Sequence, residues 1–347
     1  MIPTAPEQFT TDWLEAKLGA PAGSLRDFAY KPLGTGQMCD SFRFNLNWDG
    51  HDGPATIVAK CPSHDEKSRN IAQIIGNYLR EVNWYRELAS KSDLACPHCY
   101  HAEIADNHVD FALLLGDCAP SVQGDQLAGA TSDQLIPAID QLAALHAPFW
   151  NVDVATGHPW VANGSRALVK ASLPALAAAF VDRYTQRLAP DTLDLCRDFA
   201  DQIDAYIEHI PHAVSVVHAD YRLDNLLFAP GGGVTVVDFQ TVGEGAPLAD
   251  LAYCIGTSFA DPSDRRQSER ALFDHYCARL AEHGVAVDHG AAWDDYRLYA
   301  LSGVLMAIFA SMNVERTERG DEMFALMAER PARMALDLDS LGLLARV

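Results

Sequence analysis

Three oxygen-bearing side chains crowd into one short stretch of this chain, residues 218–238, which reads HADYRLDNLLFAPGGGVTVVD. Asp220 and Asn225 precede an apolar LLF run, and Asp238 closes a VTVV run. The two runs flank APGGG, whose glycines permit a tight reversal, so residues 226–228 and 234–237 read as a β-hairpin. A hairpin brings its ends together, and the three residues then make an oxygen-rich cluster of the kind that hard divalent cations such as Mg prefer. On its own the cluster suits a metal-dependent hydrolase using His218, Asp220 and Asp238 as well as it suits phosphoryl transfer.

A second group of residues narrows the chemistry. Lys60 ends the apolar run TIVAK, a place where a lysine is usually just solvated. Glu81 falls one turn from both Tyr78 and Tyr85, on or beside a helical stripe of Ile71, Ile75, Tyr78, Val82, Tyr85 and Leu88. A carboxylate there is awkward unless it meets a cation, and Lys60 supplies one. Gly34, Thr35 and Gly36 in PLGTGQMCDSF form either an ordinary turn or a loop whose glycines let the backbone approach a ligand.

These residues need elements to hold them. Thr11 and Asp12 before Trp13, Leu14 and Leu18 predict a short capped helix. Between residues 30 and 60 the texture is β: SFRFNLNW alternates, residues 49–54 turn, and ATIVAK follows. Residues 70–88 read as one helix, and FALLL at 111–115 as a buried strand leading to a GDCAP turn. Beyond residue 120 the pattern is mainly helical apart from the hairpin. Residues 133–146 put Leu135, Ile139, Leu142 and His146 on one face, with Pro137 tolerated if Asp133 caps the helix. Further helices are expected over 172–207, 265–283, 293–313 and 321–343.

Composition sets the bounds. The 347 residues are 49% hydrophobic and 21% charged, ordinary values for a globular protein with a substantial core. A formal net charge of -21 disfavours nucleic acid and anionic membranes as partners, and either attracts cationic ligands or simply keeps the chain soluble. The apolar stretch GVLMAIFASM at 303–312 falls short of the ~20 residues a bilayer requires and suits a buried helix. The first residues lack a basic region followed by an apolar run, so no secretory signal is expected and the cytoplasm is the default location. The eight cysteines are scattered and expected to be reduced; Cys96 and Cys99, with His98 and His101, lack the second ligand pair of a zinc site.

The motifs together resemble the protein-kinase-like phosphotransferases, in which an HxDxxxxN loop is followed, after a hairpin, by a second metal-binding aspartate. Here these are His218, Asp220, Asn225 and Asp238. HAD in place of HRD and DFQ in place of DFG are similar to the small-molecule branch: aminoglycoside phosphotransferases, choline kinases and ecdysteroid-kinase-like proteins. The runs HADYRLDNLLF, VVDFQ and LAALHAPFW resemble the last group. The resemblance implies an α+β, bilobal protein-kinase-like fold, with a small β-rich nucleotide-binding lobe at 1–118 and a larger, mainly helical lobe at 119–347.

It also implies roles. Asp220 would act as base toward a substrate hydroxyl, Arg222 would touch the transferring phosphoryl group, and Asn225 and Asp238 would hold Mg. Lys60, paired with Glu81, would contact the α- and β-phosphates of ATP. Gly34 and Gly36 would cover the phosphates, although Cys39 stands where a third glycine belongs, and residues 115–117, with Leu115 and Asp117, would line the purine edge. His218 would support the loop structurally, and Asp250 would anchor it unless it is a simple helix cap. QTVGEGAPLADLAY after Asp238 leaves little room for an activation segment, which favours a small-molecule alcohol over a protein as acceptor. The alternative is a nucleotide-binding pseudokinase acting as sensor or scaffold, opposed by the presence of Lys60, Glu81, Asp220, Asn225 and Asp238 together. The sequence carries no sign of oligomeric state.

Overall fold

The β texture between residues 30 and 60 becomes three strands, β1 (Leu25–Pro32), β2 (Cys39–Trp48) and β3 (Thr56–Pro62), in a computed structural model that describes residues 2–34, 38–162, 164, 166–314 and 316–345. Gly36 of the expected phosphate loop lies outside the described residues. With β4 (Cys99–Ile104) and β5 (Phe111–Gly116) these strands form one antiparallel sheet in the order β1-β2-β3-β5-β4. Alternation fixes its two faces. Ile57, Ala59 and Cys61 join Phe44, Ala112 and Leu114 in a core covered by Leu14 of helix α1 (Thr11–Leu18). Val58 and Lys60, of the opposite parity, therefore project from the other face. The α1 cap is Thr10, one residue earlier than the sequence suggested, accepting from the Trp13 amide.

The helix expected over 70–88 is interrupted. α2 (Glu66–Ile75) ends at Gly76, whose φ of 77° is left-handed, and α3 (Asn77–Asn83) starts afresh before a π-helical turn at Trp84–Leu88. A residue in that conformation resets the helical phase, so Ile75 is 42% exposed while the buried stripe begins at Tyr78. Glu81 falls on the buried side of α3.

The chain forms two compact units, one of Met1–Lys91, Ala95–Ser121 and Thr235–Thr241, the other of Ser92–Leu94, Val122–Val234 and Val242–Val347. The division is thus not a single cut near Cys118, because residues 235–241 bring Asp238 into the first unit. There the Val236 amide donates to the Ala95 carbonyl (2.8 Å) and Phe239 stacks on Trp84, at 4.7 Å and 13°.

The second unit is mainly helical. It opens with β6 (Val122–Gln123) and α4 (Ser132–His146), followed by α5 (Arg166–Tyr184), α6 (Pro190–Asp201) and α7 (Ile203–Glu208). β7 (Ser215–Val217) leads into the loop at 218–225 and β8 (Leu226–Phe228), and the expected reversal is closed by the Ala229 amide donating to the Gly233 carbonyl at 2.8 Å. β9 (Val234–Val236) carries the chain out of the unit, and β10 (Gly243–Gly245) returns it to pair with β7. The remaining helices are α8 (Pro247–Ser258), α9 (Pro262–Glu282), α10 (His289–Tyr299), α11 (Leu301–Asn313), α12 (Glu318–Asp337) and α13 (Ser340–Leu344).

Three of the helices expected here are each broken in two or more pieces, at residues such as Pro190 and Asp339, the latter at a left-handed φ of 53°. α4 is capped by Thr131, not Asp133, in a reciprocal box with Gln134. Pro137 therefore lies inside the helix, where it deletes the amide that would have bonded the Asp133 carbonyl. The apolar run at 303–312 lies in α11, with Val304, Ala307 and Ile308 buried as expected. Among the described residues, no helix is long and apolar enough to cross a membrane.

Candidate active site

In the first unit, Lys60 Nζ stands 2.5 Å from Glu81 Oε1 and 3.1 Å from Asp238 Oδ1. The Glu81 side chain is 0% exposed, so the ammonium satisfies a carboxylate that water cannot reach. Burial works against the ammonium charge, but the fields of Asp238 and Glu81 outweigh it and hold Lys60 well above the ordinary lysine range. Asp238 adopts a left-handed φ of 68°, which turns the chain sharply between β9 and the next turn. Each residue of DFQ has its own partner: Asp238 meets Lys60, Phe239 packs on Trp84 and edge-on against Tyr85, and Gln240 Nε2 lies 2.9 Å from Cys39 Sγ.

Leu115 lies inside β5, paired across to both Val58 and Cys99. The Asp117 carboxylate is gripped in fork fashion by Arg43 at 2.8 and 2.9 Å and also accepts the Ala119 amide. Burial pushes its carboxyl up, but these donors prevail and hold it below the usual value. Any contribution of this segment to a purine edge thus falls to the main chain. Gly34 has a φ of 73° and open space around it.

In the second unit, the loop after β7 is pinned from α8. Asp250 receives the amides of His218 (2.6 Å) and Ala219 (2.9 Å) and lies 3.3 Å from His146 Nε2, so it anchors the loop and is not the α8 cap. His218 is fully buried, and its Nδ1 accepts the Asp220 amide at 3.3 Å, a structural position. The Asp220 carboxylate takes the Tyr253 phenol (3.0 Å) on Oδ1, and Asn225 Nδ2 (2.9 Å) and Arg222 Nε (3.4 Å) on Oδ2. Arg222 is 18% exposed and also binds Asp224, so its guanidinium already sits between two carboxylates.

The loop is braced further by Gln126, whose Oε1 accepts the Leu223 amide (3.0 Å) and whose Nε2 donates to the Thr257 carbonyl (2.8 Å). Arg330 donates to the carbonyls of Gln126, Leu127 and Thr257, at 2.8 to 3.0 Å. Gly124 lies so close that a β-carbon there would be 2.6 Å from the Leu223 carbonyl oxygen, leaving no space for a side chain.

A sequence model of the phosphotransferase enzyme family APH matches residues 45–299, well over half the chain and inclusive of every residue of both clusters. The chain belongs to that family. No curated protein matches it. Among solved structures, the choline kinase of Cryptosporidium parvum is similar at 11% identity, covering 97% of this chain and 92% of its own, with a TM-score of 0.54. The GDP complex of aminoglycoside 2'-phosphotransferase-IIIa matches at 15% identity over 92% and 96%, TM-score 0.53. Macrolide 2'-phosphotransferase from Brachybacterium faecium matches at 17% over 91% and 95%, TM-score 0.51. At such identities the likeness speaks for the fold, and the fold is the α+β protein-kinase-like one, a small antiparallel sheet followed by a mainly helical remainder.

The phosphotransferase thus has two clusters, Lys60 with Glu81 and Asp238, and Asp220 with Arg222 and Asn225. Each cluster holds an oxygen donor of the kind Mg takes: Asn225 spends its amide nitrogen on Asp220, which makes Oδ1 the atom it offers, and Asp238 is a carboxylate. His218 does not suit the hydrolase alternative, since it is buried under the loop with Nδ1 in use. Sequence reasoning missed Tyr253, Asp224 and Gln126. Asp224 and Tyr253 stand within quoted motifs, but a tyrosine in an apolar helix reads as core, and Gln126 carries no local signal.

Asp295 of α10 fixes the approach to β7. Its carboxylate accepts His209 Nε2 (2.9 Å), His212 Nδ1 (2.8 Å) and the His212 amide (2.9 Å). Burial raises its carboxyl, but these donors outweigh burial and bring it below the ordinary value. A depressed carboxyl stabilises the fold at pH above the unfolded value, and that contribution is lost as pH falls through the folded value. Asp295→Asn is therefore expected to cost about 1–3 kcal/mol in urea unfolding at pH 7. The gap to wild type should narrow below about pH 4; a gap independent of pH would remove the carboxylate from this account.

Proposed function

We propose that this phosphotransferase moves the γ-phosphoryl group of ATP to the hydroxyl of a small molecule. The observation that carries the proposal is the Lys60 ammonium held between Glu81 and Asp238, a buried cation with a half-exposed carboxylate beside it. In a member of this family the arrangement suits a polyphosphate: Lys60 binds α- and β-phosphate oxygens, and Glu81 keeps it in place. Bound Mg would neutralise phosphate charge, with Asn225 and Asp238 as its protein ligands. Asp220 accepts the proton of the acceptor hydroxyl, and Arg222 offers its guanidinium to the transferred group. The nucleotide complexes known for similar folds are in keeping with this reading.

The acceptor is a small alcohol. The chain passes from Asp238 through the three-residue β10 directly into α8, which leaves no long segment for cradling a peptide. The HADYRLDNLLF and VVDFQ runs, similar to ecdysteroid-kinase-like proteins, favour a fairly apolar alcohol. Calorimetric titration with Mg-ATP tests the nucleotide half. Asp238→Asn is expected to weaken binding by at least about tenfold. Undiminished affinity in that variant would remove Asp238 from the site.

A further inference from the structure

We propose that Tyr253 is a positioning residue for the base, holding the Asp220 carboxylate in its working orientation through the phenol. The inference rests on the phosphotransfer reading. Asp250 and Tyr253 are three positions apart on α8, a spacing that puts both side chains on one helix face. They grip the same loop at successive points. Asp250 takes the amides of His218 and Ala219 and so fixes the backbone entering Asp220, including the left-handed Ala219 at a φ of 64°. Tyr253 takes the next step and fixes the side chain, its hydroxyl donating to Asp220 Oδ1 at 3.0 Å.

The phenol is a stiff support. Tyr253 is 3% exposed on a helix whose residues are nearly all buried, and its carbonyl accepts the Thr257 hydroxyl at 2.7 Å. Burial, aided by the negative field of Asp220, pushes its phenol well above the usual tyrosine range, so it remains a donor through neutral pH. Arg222 Nε and Asn225 Nδ2 donate to the other oxygen, Oδ2, and the Arg222 guanidinium is shared with Asp224. Without the phenol, the carboxylate is free to follow Arg222. In-line attack tolerates such drift poorly, because a base displaced by a fraction of an ångström no longer meets the hydroxyl proton along the attack line.

Tyr253→Phe keeps the ring and removes one donor. Followed by ADP release from Mg-ATP with a panel of alcohols as acceptors, kcat is expected to fall by about tenfold or more while KM for ATP stays within about twofold. Asp220→Asn/Tyr253→Phe should be no slower than Asp220→Asn alone, since the phenol acts only through that carboxylate. Tyr184→Phe is the control: it removes a like phenol-to-carboxylate bond, to Asp321 at 3.1 Å, and should leave kcat unchanged. Wild-type kcat in Tyr253→Phe, an equal loss in Tyr184→Phe, or a loss that multiplies with Asp220→Asn overturns the positioning role alone. Absence of ADP release from the wild-type enzyme overturns the phosphotransfer reading and carries this inference with it.

Discussion

Asp220→Asn is expected to lower kcat for phosphoryl transfer by about a thousandfold, the usual contribution of a positioned general base. The affinity for Mg-ATP should stay within a few fold, because Lys60, Glu81 and Asp238 are untouched. The substitution is nearly isosteric but cannot reproduce the hydrogen bonds. Both Asp220 oxygens accept, from Tyr253 on one side and from Arg222 and Asn225 on the other. An amide must turn its NH2 against one of these donors, so a modest loss of stability, about 1 kcal/mol, should accompany the kinetic effect. Single-turnover kinetics beside nucleotide titration separates the two. Near-wild-type turnover in this variant would reject Asp220 as the base.

Lys60→Met is expected to be among the most destabilising substitutions in the first unit, by about 3–5 kcal/mol, because it strands Glu81 in a site with no access to water. The cost comes from the unpaired carboxylate more than from the lost attraction. Lys60→Met/Glu81→Leu removes both charges and should recover most of that stability. Nucleotide affinity should remain lost in both variants, since neither restores a cation for the phosphates. Chemical denaturation and Mg-ATP titration on the same preparations distinguish these outcomes. A double variant that recovers ATP binding along with stability would make the pair purely structural.

The parts of the site that were legible in the sequence share a property: each violates the local pattern. Glu81 on an apolar stripe demanded a cation, which Lys60 supplies, and Asp220 and Asn225 are oxygen donors set directly before the apolar LLF run. The elements around them followed from alternation and helical period, as in β2, β3 and α4. What escaped were features set by tertiary contact. Gly76 reads as a tolerable glycine within a helical pattern, yet its left-handed conformation divides the helix and turns Ile75 outward. Residues 234–237 carry a strand pattern like any other, and contacts such as Val236 with Ala95, Asp238 with Lys60 and Phe239 with Trp84 place 235–241 in the first unit. Tyr253 and Gln126 brace the loop from positions distant in sequence, by bonds that no periodicity encodes.

Arg222 illustrates the difference between position and partner. Its place two residues after Asp220 points to the phosphoryl group, whereas its guanidinium is drawn onto Asp220 and Asp224, the nearest carboxylates in the same turn. The reaction proposed for this member of the phosphotransferase family is the movement of a phosphoryl group from nucleotide to alcohol. The most direct measurement is to incubate the protein with ATP labelled at the γ-phosphate, Mg and a panel of small alcohols graded from polar to apolar, and to look for label in a phosphate ester. A labelled ester is expected, formed with ADP in equal amount and strongest among the more apolar alcohols. Nucleotide binding without ester or ADP across the panel would contradict it and leave a nucleotide sensor in its place.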